Sequence, residues 1–398
     1  MTGRLGRACR AGVLLLAALA LQPPPAAHPA GETAHALGVV TWAASAQRLG
    51  DAPAGRGYRL VVRTSVGGSG LRVRLSNAFG DRPLRVGAVY AGLRERGAAV
   101  RDNRRLAFHG RPSVTVPRGA AVWSDPLRGH VPAGTLLAVS LYTPDAAGEA
   151  TGHAMALRTS YTSQGDHTAD GSAAPWTATT DSWWYLDAVS VRPDRPATGA
   201  VATLGDSITD GRDSTFDRDL RWPDLLAGRL ARTPLAGVAD AGISGNRVLT
   251  GGDTSAPGRL DRDVLELPGV RTVILFEGVN DLKDGTGVTA AALFAGYREI
   301  VRRAHAAGMC VTGATVAPFQ GWPEWSPAAE AVRREVNHRI RTGGDFDAVA
   351  DFDRALRDPR HPERLRPAYD SGDHLHPGDL GMRALADAVD LGRLRCAR

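Results

Sequence analysis

The sequence predicts two units of different class: an all-β, jelly-roll-like sandwich over residues 37–192, and an α/β unit with a parallel sheet over residues 193–398. Three observations predict this. From about Leu37 to Arg192 apolar residues recur with period two, and no amphipathic helix intervenes. At about Pro193 the style changes, and apolar strands begin to alternate with helical segments. A chain of 398 residues with 43% hydrophobic and 23% charged residues suits two soluble domains, each with its own core.

Residues 1–36 read as a signal peptide followed by a Pro/Ala-rich segment. Arg4, Arg7 and Arg10 precede the eleven-residue apolar run Ala11 to Leu21, which is too short to span a bilayer. The expectation is an exported protein with no stable membrane insertion once the leader is removed. Cys9 leaves with it, so the mature chain keeps Cys310 and Cys396. Export permits a disulfide between them. A buried thiol at Cys310 with an incidental Cys396 is the other reading, and both stay open.

Composition excludes several classes. The 47 glycines and 25 prolines scatter without a repeat, which removes collagen-like, coiled-coil and wholly disordered classes. Lys+Arg is 48 against 42 acids, a net charge of +6, yet the arginines are interleaved with acids and form no basic tract. A nucleic-acid partner is therefore not expected. Lys283 is the only lysine.

In the sandwich the strand candidates are Tyr58 to Val66, the strictly alternating Leu71 to Leu75, Leu84 to Tyr90, Leu136 to Tyr142 and Ala154 to Tyr161. The stiff, short Arg192 to Pro196 reads as a linker. Beyond it the strand candidates are Gly199 to Leu204, Gly237 to Ala241, Arg271 to Glu277, Met309 to Ala317 and Ala348 to Phe352. Helix candidates are Trp222 to Arg232, Arg259 to Glu266, Thr289 to Ala307, Pro327 to Arg341 and Pro377 to Val389. Five β-then-α units predict a parallel sheet covered on both faces, with ligands at the carboxyl ends of its strands.

The chemistry-bearing residues fall at those ends. The first strand of the second unit runs into Gly205-Asp206-Ser207, which sets a serine at the sheet edge near a helix start. A serine hydroxyl is a weak nucleophile and needs a base. Asp373-His374-Leu375-His376, just before the last helix, supplies one: a spacing of three lets the Asp373 carboxylate orient the His376 imidazole. Gly245, in Gly242-Ile243-Ser244-Gly245-Asn246, can lend a backbone N–H where a side chain would obstruct, and Asn280, in Gly278-Val279-Asn280-Asp281, can lend its amide. No H-E-x-x-H or C-x-x-C occurs, and neither a metal nor a cofactor is expected.

These four blocks, in this order, resemble the SGNH, or GDSL-type, hydrolase superfamily over about residues 199–392. The resemblance implies a flavodoxin-like three-layer α/β/α domain and metal-independent ester hydrolysis. It implies Ser207 as nucleophile, His376 as base and Asp373 as its orienting acid. Ser207 N–H, Gly245 N–H and Asn280 would form the oxyanion hole. The preceding sandwich, with Asp166-His167-Thr168 and Ser182-Trp183-Trp184, also resembles a secreted bacterial subgroup related to xylanase-associated acylesterases.

Blander roles stand beside these. Ser207 could cap its helix. Asp206 and Asp210 are expected to hold the loop, Asp281 to orient backbone, His374 to form wall, and Asn246 to serve a turn or stand as a second amide. One of Trp183 and Trp184 is expected in a core. Trp322 and Trp325 should overhang the sheet edge, to stack on sugar or to pack the loop. The expected function is a secreted serine esterase on short acyl, above all acetyl, groups of carbohydrate, with a small-molecule or polysaccharide ester as substrate. The alternatives are a lipase or lysophospholipase acting on lipid esters, and a carbohydrate-binding protein with a degenerate hydrolase domain.

Overall fold

A computed structural model describes residues 37–146, 148–196, 198–283 and 287–396. The leader expected at 1–36, with Cys9, lies outside the described residues. The period-two region folds into two large antiparallel sheets. One has six strands in the order Ala178–Thr180, Ser160–Gln164, Arg56–Arg63, Leu136–Thr143, Ala88–Arg94 and Val100–Arg105. The other runs Val39–Ala43, Leu186–Pro193, Gly68–Ser76 and Leu127–Val131, with Ala121–Trp123 also on Gly68–Ser76. Alternation explains the layering. Leu60 and Val62 from one sheet and Leu71, Val73 and Leu75 from the other meet in one core, while the residues between them, Val61, Arg72 and Arg74, point to the opposite faces and are buried there as well. Trp183 fills its centre, 1% exposed, with Nε1–H donating to the Val61 carbonyl at 2.9 Å. Trp184 stays half-buried and stacks on Tyr58 at 5.3 Å.

Two expected strands are corrected. Leu84 to Tyr90 is divided: Leu84–Val86 pairs with Val114–Val116, Ala88–Arg94 pairs with Leu136–Thr143, and the chain changes sheet at Gly87. The same apolar alternation serves both sheets, so it does not mark the crossing. Ala154 to Tyr161 straddles a break between Gly148–His153 and Ser160–Gln164. Leu157, at φ 48°, turns the chain out of the extended region there.

The second unit has five parallel strands in the order Gly237–Gly242, Ala200–Gly205, Val270–Phe276, Cys310–Ala314 and Ala348–Ala350. That is the 2-1-3-4-5 order of a flavodoxin-like sheet. Successive residues point to opposite layers. Val201 and Ile274 pack with Trp222, Leu226, Met382 and Leu385 from the helices Trp222–Leu230 and Asp379–Ala388. Ala202, Leu204, Val273 and Leu275 pack with Leu293, Phe294 and Val336 from Ala290–Ala306 and Pro327–Thr342. Both of these latter helices start on side-chain caps, Thr289 accepting from Ala292 N and Ser326 from Ala329 N. The helix expected at Arg259 to Glu266 is two shorter pieces, Ala256–Leu260 and a wider π turn, Asp261–Leu265. Phe352, expected to end a strand, instead opens the helix Phe352–Leu356.

The two units share apolar packing. Strand Val39–Ala43 is buried on both faces: Trp42 belongs to the sandwich core, whereas Val39, Val40 and Ala43 join the core around Ala200, Ala239 and Val270. Ala188, from Leu186–Pro193, does the same. A Cβ at Gly237 would come 2.6 Å from the Val40 carbonyl oxygen, so glycine is what lets the strands approach so closely. Val40 N–H donates to the Pro268 carbonyl at 2.8 Å, and Val238 N–H to Ser65 Oγ at 3.0 Å. The segment read as a linker is itself tied down: Leu186–Pro193 continues as strand, and Arg195 donates to the Ala231 carbonyl at 2.7 Å. Cys310 and Cys396 form a disulfide, which closes a separation of 86 residues and fixes the C-terminal segment to the fourth strand of the parallel sheet. Closing a loop of that length stabilises the fold by about 4–5 kcal/mol in the chain-entropy picture.

Candidate active site

The chain reverses direction across the parallel sheet between Ala200–Gly205 and Val270–Phe276, which opens a crevice at their carboxyl ends. Ser207 follows the first of these strands and Asn280 the second. Ser207 begins a one-turn helix, Ser207–Asp210, capped by Asp206 Oδ1, which accepts from Ile208 N at 2.9 Å. The capping role open to Ser207 is thus filled by Asp206, and the serine hydroxyl is not used as a cap. Burial, the main influence, pushes the Asp206 carboxyl up to about 7, partly offset by Ile208 N–H and by Lys283.

Ser207 Oγ lies 2.8 Å from His376 Nε2, although 169 residues separate them. On the other side of the ring, His376 Nδ1 lies 2.5 Å from Asp373 Oδ2. Asp373 Oδ1 also accepts from Leu375 N at 2.9 Å and His376 N at 2.8 Å, so one carboxylate fixes both loop and imidazole. Burial raises the Asp373 carboxyl, but these donors more than offset it and hold the group below the usual carboxylate range. His374, at φ 68°, points away and bonds Asp370 through Nδ1 at 2.6 Å, with its ring against Gly321.

Gly245 and Asn280 stand on neighbouring loops. Gly245 sits at φ +79°, a conformation that favours glycine, and a Cβ there would meet no protein atom within 4 Å. Its N–H has no acceptor among the described residues. Asn280 Nδ2 donates to the Asn246 carbonyl at 2.9 Å, which uses one amide hydrogen and aims the group. Asn246 is a loop fastener: its Nδ2 bonds the Thr254 carbonyl and its Oδ1 accepts from Arg259. Asp281 orients backbone, accepting from Val248 N and Leu249 N at 3.0 and 2.9 Å.

Trp322 and Trp325 are both half-buried and pack against the hydrolase core, and Trp322 also meets His376. The Trp322 ring stands edge-on to His376, centroids 5.9 Å apart at 89°.

Four further residues were not singled out from the sequence. Asp213 places Oδ2 3.7 Å from His376 Nδ1, and so groups with Asp373 and His376. The carboxylate oxygens and the ring nitrogen of this trio are close enough to hold a cation, but in this arrangement Nδ1 is already bonded to Asp373. Lys283 lies beside Trp322. The other two connect the site to the sandwich. His153, 3% exposed on the strand Gly148–His153, sets Nε2 2.9 Å from Asp210 Oδ1. The second Asp210 oxygen accepts from Ser244 N and Ser244 Oγ, each at 2.9 Å, one residue before Gly245. Burial disfavours charging His153, but Asp210 more than offsets this and raises its pKa. Arg259, fully buried, donates to Ser45 Oγ of the sandwich and to the carbonyls of Gly205 and Ala241 at 2.8–2.9 Å. Both contacts bridge residues more than 50 positions apart, and no local pattern marks them.

His153→Ala should leave Asp210 buried without one partner and loosen the loop at Ser244. We expect kcat on p-nitrophenyl acetate to fall about tenfold with KM little changed, the scale of one buried hydrogen bond to a charged group. Equal kcat in variant and parent would show that the brace does not reach the reaction.

Residues 203–384 match the GDSL-like Lipase/Acylhydrolase family. Similar solved structures include a lipolytic protein of the G-D-S-L family from Desulfitobacterium hafniense (20% identity, 48% of this chain and 97% of that one, TM-score 0.39). A lipase/acylhydrolase from Enterococcus faecalis is similar at 19% identity over 48% and 93% of the two chains, with a TM-score of 0.39. An acetyl xylan esterase is similar at 22% identity over 48% and 96%, with a TM-score of 0.36. No match was found among curated proteins. The C-terminal unit is a GDSL-like lipase/acylhydrolase domain preceded by an all-β region. The protein is a carboxylic ester hydrolase.

Proposed function

We propose that the protein is a secreted serine esterase that removes short acyl groups, acetyl above all, from carbohydrate through an acyl-enzyme on Ser207. The observation that carries this is the run of short contacts Ser207 Oγ, His376 Nε2, His376 Nδ1 and Asp373 Oδ2, at 2.8 and 2.5 Å. His376 Nε2 takes the Ser207 proton as Oγ attacks the ester carbonyl carbon. The oxygen that gains charge is met by Ser207 N–H, Gly245 N–H and the remaining amide hydrogen of Asn280. On collapse, Nε2–H passes its proton to the departing alcohol oxygen. Water then repeats the sequence on the acyl-serine and releases the acid. Asp373, held ionised, stabilises the imidazolium throughout.

Export is supported by the charged and apolar leader pattern and by the Cys310–Cys396 disulfide, which an oxidising compartment favours. No helix among the described residues is long and apolar enough to cross a membrane. The short-acyl, sugar-side reading is supported by Trp322, whose indole stands perpendicular to the His376 ring and adds apolar surface beside it.

The test is a series of p-nitrophenyl esters from acetate to palmitate, followed by acetate release from acetylated xylan. Highest kcat/KM on acetate, with acetate released from the polymer, is expected; a maximum at palmitate would replace this reading with lipid hydrolysis. Asn280→Ala should lower kcat by roughly 10²–10³ with KM near that of the parent, as loss of one oxyanion donor does. A change in KM alone would make Asn280 a substrate-binding group.

A further inference from the structure

Lys283 ends the short helix Val279–Lys283 that carries Asn280. It is the one lysine in a chain whose other basic side chains, histidines apart, are all arginines. Its ammonium lies 4.7 Å from the centroid of the Trp322 ring, whose edge meets His376. A lysine over an indole is held in place by the ring's negative face while its N–H donors stay available. Lys283 forms no ion pair with a described residue. Three carboxylates, Asp206, Glu324 and Asp373, and one further cation, Arg247, are near enough for their charges to act on it. Asp206 is engaged with Ile208 N, and Asp373 with the His376 loop and ring. Glu324 is exposed on the tryptophan loop. Partial burial, the main influence, lowers the Lys283 pKa, against the pull of the nearby carboxylates.

Direction follows from the chemistry. His376 hands its proton from Nε2 to the leaving alcohol, so a side chain packed on the face of its ring lies within reach of the alcohol side of the ester. Trp322 flanks it, and Lys283 sits on Trp322.

We propose that Lys283 is a specificity-determining residue that binds an anionic group, a carboxylate or a phosphate, on the alcohol moiety of the substrate, so that the preferred substrates are acyl esters of acidic alcohols such as acidic sugars. This rests on the esterase reading given above. A compact ammonium beside an apolar ring is a point-charge receptor, and suits either anion.

The test compares neutral p-nitrophenyl acetate with 4-acetoxybenzoate and 4-acetoxyphenyl phosphate, which place a carboxylate or a phosphate on the leaving phenol. In Lys283→Met the ratio of kcat/KM on the anionic esters to that on the neutral ester should fall about tenfold, mainly through KM. Lys283→Arg should hold the ratio within about threefold of the parent. Raising ionic strength should shrink the parent's ratio and leave that of Lys283→Met alone. The two anionic arms show whether carboxylate or phosphate is preferred. A ratio unchanged in Lys283→Met, or equal losses on all three esters, would overturn the inference; the latter would make Lys283 a support for Trp322. If the parent hydrolyses none of the three esters, the esterase reading fails first and takes this inference with it.

Discussion

Replacing Ser207 by alanine is expected to lower kcat on p-nitrophenyl acetate by at least about 10⁴-fold while leaving the fold intact. The loss is large because serine, histidine and carboxylate act as a unit: without Oγ, the base has nothing to activate and no acyl-enzyme forms. The fold should survive because the Ser207 side chain bonds only to His376, while Asp206 caps the helix start. A thermal midpoint within about 2 °C of the parent, measured alongside the rate, separates chemistry from misfolding. A serine-reactive phosphonate should add its mass to Ser207 in the parent and to nothing in the variant. Undiminished turnover by a clean Ser207→Ala preparation would falsify the acyl-enzyme mechanism.

The second large effect concerns the division between the units. Residues 197–398 expressed alone should give no soluble, active monomer. Val39, Val40, Ala43 and Ala188 are between 0 and 5% exposed and sit in the hydrolase core. Each buried valine contributes about 1.5–3 kcal/mol, and its removal uncovers apolar surface on the strand Gly237–Gly242. The same deletion removes His153 and Ser45, which hold the loops bearing Ser244 and Gly205 through Asp210 and Arg259. Size-exclusion chromatography and p-nitrophenyl acetate turnover decide the matter. A monomeric fragment with full kcat/KM would mean that the packing is incidental to both stability and reaction.

The sequence made the layers of the second unit legible, because its strands are continuous apolar runs and its helices carry a 3.6-residue pattern. Ala290–Ala306, with Leu293, Phe294, Tyr297, Ile300 and Val301 inward, is the clear case. Local motifs singled out Ser207, Asp373 and His376 as candidates for a related reason: Gly-Asp-Ser and Asp-x-x-His each encode a turn whose geometry is set within a few residues. What stayed hidden depends on distance along the chain. Nothing near His153 announces Asp210, and nothing in Leu84 to Tyr90 shows where one sheet is left for another. Strand Val39–Ala43 is not among the strands expected from the sequence, and both its faces are buried because the second layer arrives from elsewhere in the chain. Lys283 carried a signal of composition alone, and that signal acquires meaning only once Trp322 is seen beside it.

The hydrogen bond from Val40 to the Pro268 carbonyl has a consequence in time. At ribosomal speeds, the roughly 230 residues between the two partners take about 10–45 s to synthesise. Throughout that interval the newborn strand displays Val39 and Val40 with no hydrolase layer to receive them. Long-range closure of this kind also slows folding, since the entropy of a large loop is lost before its contacts form. The nascent chain therefore needs something to shield that edge until its distant half emerges, and its yield in a foreign host should respond to slower translation and to holding chaperones before it responds to any change at Ser207, Asp373 or His376.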